Sequence, residues 1–547
     1  MLRFIPIGGI GGVTKNMYVY EYQDQILVVD CGIGFPDATM LGVDLLIPDV
    51  AYLEARRDKI VGMVLTHGHD DHIAGLPYIL PNLGNIPIYG SKLTIGFAKE
   101  RLADFSVSAN MQLLPDDQPV RLGVFSIEAV RVTHSVPDAR HLAITTPEGV
   151  MYHGSDFKFD LAPVDGILPE FQKMAVMGKH GVLCLLSDCL RSEKQGWSLS
   201  ESILEQTFER EIRDARGKFI VTAMSSNVHR IQQAIDVAAR HGRKIALVGR
   251  SIESNVMTAV RLGLMRLPEK MMIKKQRIKH LRPAEVCVII AGSQGQPGSS
   301  LVRAVEEEHD FVTINPEDKV VFSTEPIPGS ENAVYATIDS LSKQGVDVAY
   351  SDVDDALHVS GHGYSGEQKL LMALLKPKYL IPIGGTFRHM VQYRKLAAEM
   401  GYSQDQVMLL CDGQVVEFDQ GRVRKAEVVP LRNVMVDGLG IGDVGKIVLR
   451  DRKTMSKEGI VIVVVPVSQQ TGQMGGEVEV ISRGFVFMKE SQELVEQIKE
   501  KVKLSLPTKG TVTDWQGVRK NIEERLGEFL YKETGRSPLI LTVVMEV

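Results

Sequence analysis

Apolar residues fall into two rhythms along this chain. Over the first two hundred positions they come in short runs: "MYVYEY", "QILVVDCG", "GMVLTH", "IPIYG", "FSIEAVRVTH", "HLAITT" and "VMYHGSD". Most are closed by Gly, Pro, Asp or His, and runs of this kind predict strands. Only 72–80 and 91–103 carry helical spacing here, so a β-rich layered arrangement with helices outside is expected.

Near residue 200 the rhythm changes. "SLSESILEQTFEREIRDA" opens as a helix, with Ser198 as its cap and Glu201 three residues on. "KFIVTAMSS", a helix over about 229–241, "KIALVGRS", "EVCVIIAGS", "KVVFSTEPI" and "VDVAYSD" follow, with further helical stretches between them. Strands alternating with helices in this way predict a parallel sheet. After 355 the chain returns to a loop, a helix, "KYLIPIGG", a helix, and two short strands in "VMLLCDG" and "QVVEFD". That is too little for a separate domain, so the α/β unit reads as an insertion. Residues 1–200 and 356–430 then form one domain around 201–355. The Gly-rich 431–445 is a linker, and 446–547 is a small α/β domain with helices at 490–503 and 514–532 and a final strand.

Composition narrows the class. With 547 residues the chain exceeds one core. It is 44% hydrophobic and 24% charged, with no apolar run long enough for a membrane span and no signal-peptide pattern at its start. Five scattered cysteines (31, 184, 189, 287, 411) suit reduced thiols and a cytoplasmic location. A net charge of −6 excludes a uniformly basic nucleic-acid binder, so any polyanion must meet a local field.

"LTHGHDDH" (65–72) supplies that possibility. His67 and His69 lie two apart at a strand end, where both imidazoles can reach one metal. Asp71 and His72 follow as the chain turns into a helix and can serve a second metal nearby. His134 in "VRVTHSVPD" and Asp156 in "VMYHGSDFKFD" each end a strand. A third histidine for the first metal and a bridging carboxylate are what a binuclear centre requires.

H-x-H-x-D-H followed by a strand-end His and a strand-end Asp is similar to the metallo-β-lactamase fold. The inserted domain and "VSGHGYSG" are similar to its β-CASP nuclease branch. "FIPIGGIGGVTKNMYVYE", "VVDCGIGFPDATMLGVDLLIPD", "SSNVHRIQQAIDVAARHGRKIALVGRS", "AGSQGQP", "VDGLGIGDVGKIVLRDR" and "VISRGFVF" together resemble the ribonuclease J family over nearly the whole chain. The resemblance implies an α/β protein: a metallo-β-lactamase αββα sandwich with an inserted β-CASP domain and a small C-terminal α/β domain. It implies His67, His69 and His134 on a first metal, Asp71 and His72 on a second, and Asp156 between them. Zn²⁺ would fill one or two sites per chain, with Mn²⁺ or Mg²⁺ as alternatives. One position departs from the pattern. The family's loop P-V-H-G-E supplies a further second-metal histidine, whereas "IPIGGTFRH" has Gly384 there, Thr386 in place of the acid, and His389 five residues on. A weak second site is the expectation.

The implied activity is metal-dependent cleavage of single-stranded RNA by activated water, in RNA decay or maturation. A 5′-monophosphate pocket would make it a 5′-to-3′ exonuclease that also cuts internally. Asp71 would orient the water and His362 would serve the leaving oxygen. Asp188 is either a support for that site or a plain turn aspartate. RNA contacts are expected from Ser226, Asn227 and His229 where a strand enters a helix, and from Ser293 and Gln294, in a loop reading GQP where the family usually has GEP. Ser360 and His362 match the 5′-phosphate pocket, with a divergence at Tyr364, and Ser365 is a further expected RNA contact. The stretch 266–282 holds seven Lys/Arg against one Glu and is either a solvated helix face or a backbone contact. The C-terminal domain would make a homodimer or homotetramer, or pair with a paralogue. Gly384 keeps open an RNA-binding partner with a weakened site. A DNA-acting nuclease also stays open, because 2′-OH contacts are not written in sequence.

Overall fold

The structure, a computed structural model, describes all residues except 38, 328, 439, 469–472, 487–490, 507–514 and 547. Two compact units divide the chain: residues 1–35 with 46–434, and residues 36–45 with 435–547.

Two sheets form the base of the first unit. The larger has eight strands in the order Arg422–Val428, Gln414–Asp419, Leu2–Gly8, Met17–Tyr22, Gln25–Val29, Ile60–Leu65, Pro87–Gly90 and Asn110–Leu113. The smaller has six: Tyr379–Ile383, Cys184–Asp188, Gly149–Gly154, Arg140–Thr146, Phe125–Arg131 and Val120–Leu122. Alternate residues such as Phe4, Tyr20, Leu27, Ile127, Leu142, Tyr152 and Leu185 are buried in one core that the two sheets share. Helices Lys92–Asp104, Phe171–His180, Ser365–Leu375 and Phe387–Glu399 complete the αββα sandwich.

Cys184–Asp188 and Tyr379–Ile383 are parallel neighbours in the sheet but far apart in sequence. Between them the chain builds a five-stranded parallel sheet in the order Lys244–Val248, Val286–Ile290, Phe219–Thr222, Lys319–Phe322 and Asp347–Ala349. These strands are near-continuous apolar runs because helices cover both faces. Arg230, fully buried, ties this insertion to the returning chain. It binds Glu201 with Nε and Nη2 (2.8 and 2.9 Å) and donates to the carbonyls of Ser323 (2.7 Å) and Val359 (3.0 Å).

In the second unit the strand Ile460–Val467 lies between Glu479–Arg483 and Leu539–Glu546. Val461, Val463 and Val465 face Ile498, Val502, Ile522, Leu526 and Leu530 of the helices Gln492–Ser505 and Trp515–Thr534. The other side of the sheet leaves Ile481, Leu541, Val543 and Met545 exposed.

Several expectations change. Ser198 is not the helix cap: Ser200 caps a short turn, Glu201–Ile203, through Ser202 N, and the helix proper is Leu204–Asp214. The basic stretch 266–282 is mostly irregular, with one 3₁₀ turn at Lys275–His280, because its apolar residues keep no helical period. "VMLLCDG" makes only an isolated bridge from Val407 to Leu380. The segment 431–445 contains strands Val434–Asp437 and Gly440–Ile441 rather than plain linker. Among the described residues no helix is long and apolar enough to cross a membrane.

Candidate metal centre

The strand Ile60–Leu65 runs into buried Thr66 and His67, and His69 begins the one-turn helix Asp70–Ile73 in extended conformation. His134 and Asp156 follow the strands Phe125–Arg131 and Gly149–Gly154. These tips converge. His67, His69, His134 and Asp156 offer ligand atoms all within 4.8 Å of one another, and so do Asp71, His72 and Asp156. Asp156 Oδ2 stands 3.7 Å from His67 Nε2, 3.5 Å from His72 Nε2 and 3.8 Å from His134 Nε2. Such gaps are long for hydrogen bonds but close to the spacing of about 3.4 Å between two donors that share a tetrahedral ion at roughly 2.1 Å.

His67 gives the sharpest test of fit. Its Nδ1 meets Thr66 Oγ1 at 3.1 Å, while its Nε2 is buried with no hydrogen-bond partner. A buried lone pair without a partner is costly, and a cation is the natural occupant. Burial, aided by the neighbouring imidazoles, holds His67 and His134 well below the ordinary histidine value, and burial takes His69 to about 3. All three are therefore neutral, as ligands must be. Burial works the same way on His72, but Asp156, Asp30 and Asp71 outweigh it and raise that group. The donor set fits a metal site.

Supporting residues fix these orientations. Asp30, completely buried, accepts from Thr66 N (2.7 Å) and Thr66 Oγ1 (2.8 Å) and pairs with His72 Nδ1 at 2.7 Å. Asn16 Nδ2 lies 3.0 Å from His72 Nε2. Gly32 is obligatory: a Cβ there would fall 1.6 Å from the Asp71 carbonyl oxygen. His134 Nδ1 donates to Gly361 O at 2.6 Å, joining a ligand to the loop Ser360–Tyr364. None of these partners stands out in the sequence, except that Asp30 closes an apolar strand in "VVDCG".

His362 and Asp188 form a pair on the same floor. His362 Nδ1 lies 2.7 Å from Asp188 Oδ2, and its Nε2 lies 3.9 Å from Asp156 Oδ2. Burial opposes the imidazolium, yet the charges of Asp188 and Asp156 raise His362 to about 9. Gly384 also faces this floor. Its φ is +64°, and a Cβ there would lie 3.6 Å from both Asp156 Oδ1 and Asp188 Oδ1. His389 stays outside, bound to Thr386 through Nδ1 and 3.3 Å from Glu193 through Nε2. The second cluster thus has Asp71, His72 and Asp156, with no fourth side chain from the 384 loop.

The expected RNA contacts divide. His362 and His229 keep part of their rings accessible. Asn227 caps the helix Val228–Arg240 and donates to Glu201. Gln294 spends its amide on Thr324, Glu325 O, Ile327 N and Ser330. Ser293, buried, touches Met224 Sδ. Ser360 bonds to its own loop at His362, and Ser365 accepts from Gly196 N. These side chains brace loops, and Ser226 beside them is buried. What sequence reading missed is Glu367, a fully buried carboxylate accepting from Phe159 N, Ser198 N, Ser198 Oγ and Tyr364 N at 2.7–3.0 Å.

Known proteins match every part of this architecture. The family "Metallo-beta-lactamase superfamily" matches residues 10–153, "Ribonuclease J, beta-CASP domain" 216–341, "Zn-dependent metallo-hydrolase RNA specificity domain" 345–407, and "Ribonuclease J C-terminal domain" 447–547. Ribonuclease J2 of Bacillus subtilis is 37% identical over 100% of this chain and 99% of its own. Ribonuclease J 1 of Streptococcus pyogenes is 36% identical over 98% of this chain and 96% of its own, and ribonuclease J 2 of Staphylococcus aureus 32% over 100% and 98%. A crystal structure of a protein of unknown function from Enterococcus faecalis V583 shares the fold, with a TM-score of 0.55 at 15% identity over 78% of this chain and all of that one. By identity along its whole length and by the matches to its separate parts, the chain belongs to the ribonuclease J family.

Proposed function

We propose that the protein is a metal-dependent ribonuclease that hydrolyses phosphodiester bonds of single-stranded, 5′-monophosphorylated RNA. It works 5′ to 3′ with internal cuts, in RNA decay or maturation. The observation that carries this reading is the unpartnered Nε2 of His67, aimed into a cluster of neutral imidazoles around Asp156. When bound there, zinc, or manganese or magnesium in its place, supplies an activated water and offsets phosphate charge. His67, His69, His134 and Asp156 would hold a first ion, and Asp71, His72 and Asp156 would hold a second. Asp71 orients the water. His362, held by Asp188 through Nδ1, presents its Nε2 to the leaving 3′ oxygen as the proton donor. Asp188 is a positioning residue in this scheme.

Incubating the protein with 5′-monophosphorylated RNA and Zn²⁺ or Mn²⁺ tests it. Cleavage that disappears in Asp71→Ala supports the reading; equal behaviour of both proteins under every metal removes it. A second reading, an RNA-binding partner of an active paralogue, is favoured by Gly384 alone. Elemental analysis separates the two. One tight ion per chain, with a second gained in Gly384→His along with many-fold higher activity, marks a weakened centre; two tight ions in the native protein remove the second reading. The exposed apolar side of the C-terminal sheet supports a homodimer or homotetramer.

A further inference from the structure

One aromatic side chain near the centre has no role in the scheme above. Trp197 is 51% exposed, which is unusual for an indole. Its backbone is nonetheless locked. Gly196 N donates to Ser365 Oγ (3.2 Å), Gly366 N to Gly196 O (2.8 Å), and Ser198 gives both its N and its Oγ to buried Glu367 (2.8 and 2.7 Å). The ring lies on Gly366: a Cβ built there would come within 2.7 Å of Gly196 O, 2.8 Å of the indole Nε1 and 3.0 Å of its Cε2, so a side chain at 366 would collide with both backbone and ring. One side of the ring is thus seated on the first turn of the helix Ser365–Leu375 and the rest is open to solvent. Leu199 (56%), two residues on, and Leu161 (66%) are also exposed, on segments joined by Ser200 Oγ to Ala162 O at 2.9 Å.

The position is informative. Gly366 is four residues beyond His362, at most about 14 Å even along an extended chain. Ser360–Tyr364 is the loop that holds His134 through Gly361. A half-open aromatic braced against the helix that follows the His362 loop matches what single-stranded nucleic acid uses: a π-face on which any base can stack, with its ordering cost already met.

We infer that Trp197 is a base-stacking platform, which seats one nucleobase of the single-stranded substrate a few nucleotides from the scissile bond. The inference rests on the ribonuclease reading. Stacking of this kind is sequence-tolerant, so it sets register rather than base preference.

The test uses the full-length protein loaded with metal and a set of 5′-monophosphorylated RNAs, each with one abasic residue at a successive position. Wild type should bind the intact strand about tenfold more tightly than the strand abasic at one particular position, with KM moving far more than kcat. Trp197→Ala should bind all of them alike and as weakly as that abasic strand, and Trp197→Tyr should restore the difference. In a Trp515→Phe background, the remaining indole emission should be quenched by the intact strand and not by the abasic one. Equal affinity of wild type and Trp197→Ala for intact RNA, with RNA still cleaved, overturns the platform and leaves the ribonuclease reading standing. A changed oligomer mass in Trp197→Ala without any change in RNA affinity makes the patch a protein contact and overturns it too. Wild type that neither binds nor cleaves RNA removes both.

Discussion

His72 is gripped from two sides, and the grip is as much a part of the centre as the ring. Asp30 holds Nδ1, leaving Nε2 to face Asp156 and Asp71. Partners of metal ligands commonly tune affinity by 10–100-fold. Asp30→Asn should therefore cost roughly that factor in metal retention against a chelator, with a normal circular dichroism spectrum. Retention unchanged would mean His72 needs no such orientation. Here the limits of sequence reading are plain. His67, His69, Asp71 and His72 were legible because one contiguous motif carries them, and His134 and Asp156 because each closes an apolar strand. Asp30 and Asn16 were not, since they act through contacts made only after distant strands pair. The internal partners of Asn227, Gln294 and Ser365 were equally illegible, since they too are made only in the folded chain.

Elements decide how the loop Ser360–Tyr364 stays in place. Glu367, in the first turn of the following helix, collects four hydrogen bonds from three separate segments. Glu367→Gln keeps the shape but turns an acceptor into a donor facing N–H groups. It should destabilise the fold by about 1–3 kcal/mol in urea titration and lower activity as the loop loosens. The Glu201–Arg230 pair anchors the insertion in the same way. Burial would raise the Glu201 carboxyl, yet Arg230 overrides it and holds the group below its ordinary value. A depressed carboxyl stabilises the fold fully above its unfolded value, near 4.5, and that contribution fades as pH falls through the folded value. Arg230→Met should cost roughly 3–5 kcal/mol and move acid unfolding to higher pH; a midpoint that does not move would assign the anchor elsewhere. Strands closed by Gly, Pro or Asp could be read from sequence because they alternate or run apolar. Arg422–Val428 could not: it is an edge strand with little burial on either side, so charge replaces pattern.

At the scale of the whole molecule, the insertion was legible as a change of rhythm, and its parallel sheet follows that reading. Strand order was not, because which strands become neighbours depends on long-range packing that no local window contains. The C-terminal sheet gives the prediction that belongs here. Its exposed side carries Ile481, Leu541, Val543 and Met545 in register across the strands. Leu541→Asp with Val543→Asp should lower the oligomer order in analytical ultracentrifugation while leaving the circular dichroism spectrum intact. An unchanged mass would show that this surface is not a subunit interface.

The split sandwich has a consequence in time. A growing polypeptide that has reached Asp188 already carries His67, His69, Asp71, His72, His134 and Asp156. It still lacks His362, and the strands that flank Leu2–Gly8 and Cys184–Asp188 on their far sides have yet to be made. At about 5–20 residues per second, the remaining stretch to Asp419 keeps the ribosome occupied for about 10–50 s. Until residue 362 is added, the nascent chain carries the six proposed metal ligands and no His362. The sandwich can therefore close only after the whole inserted domain has been made.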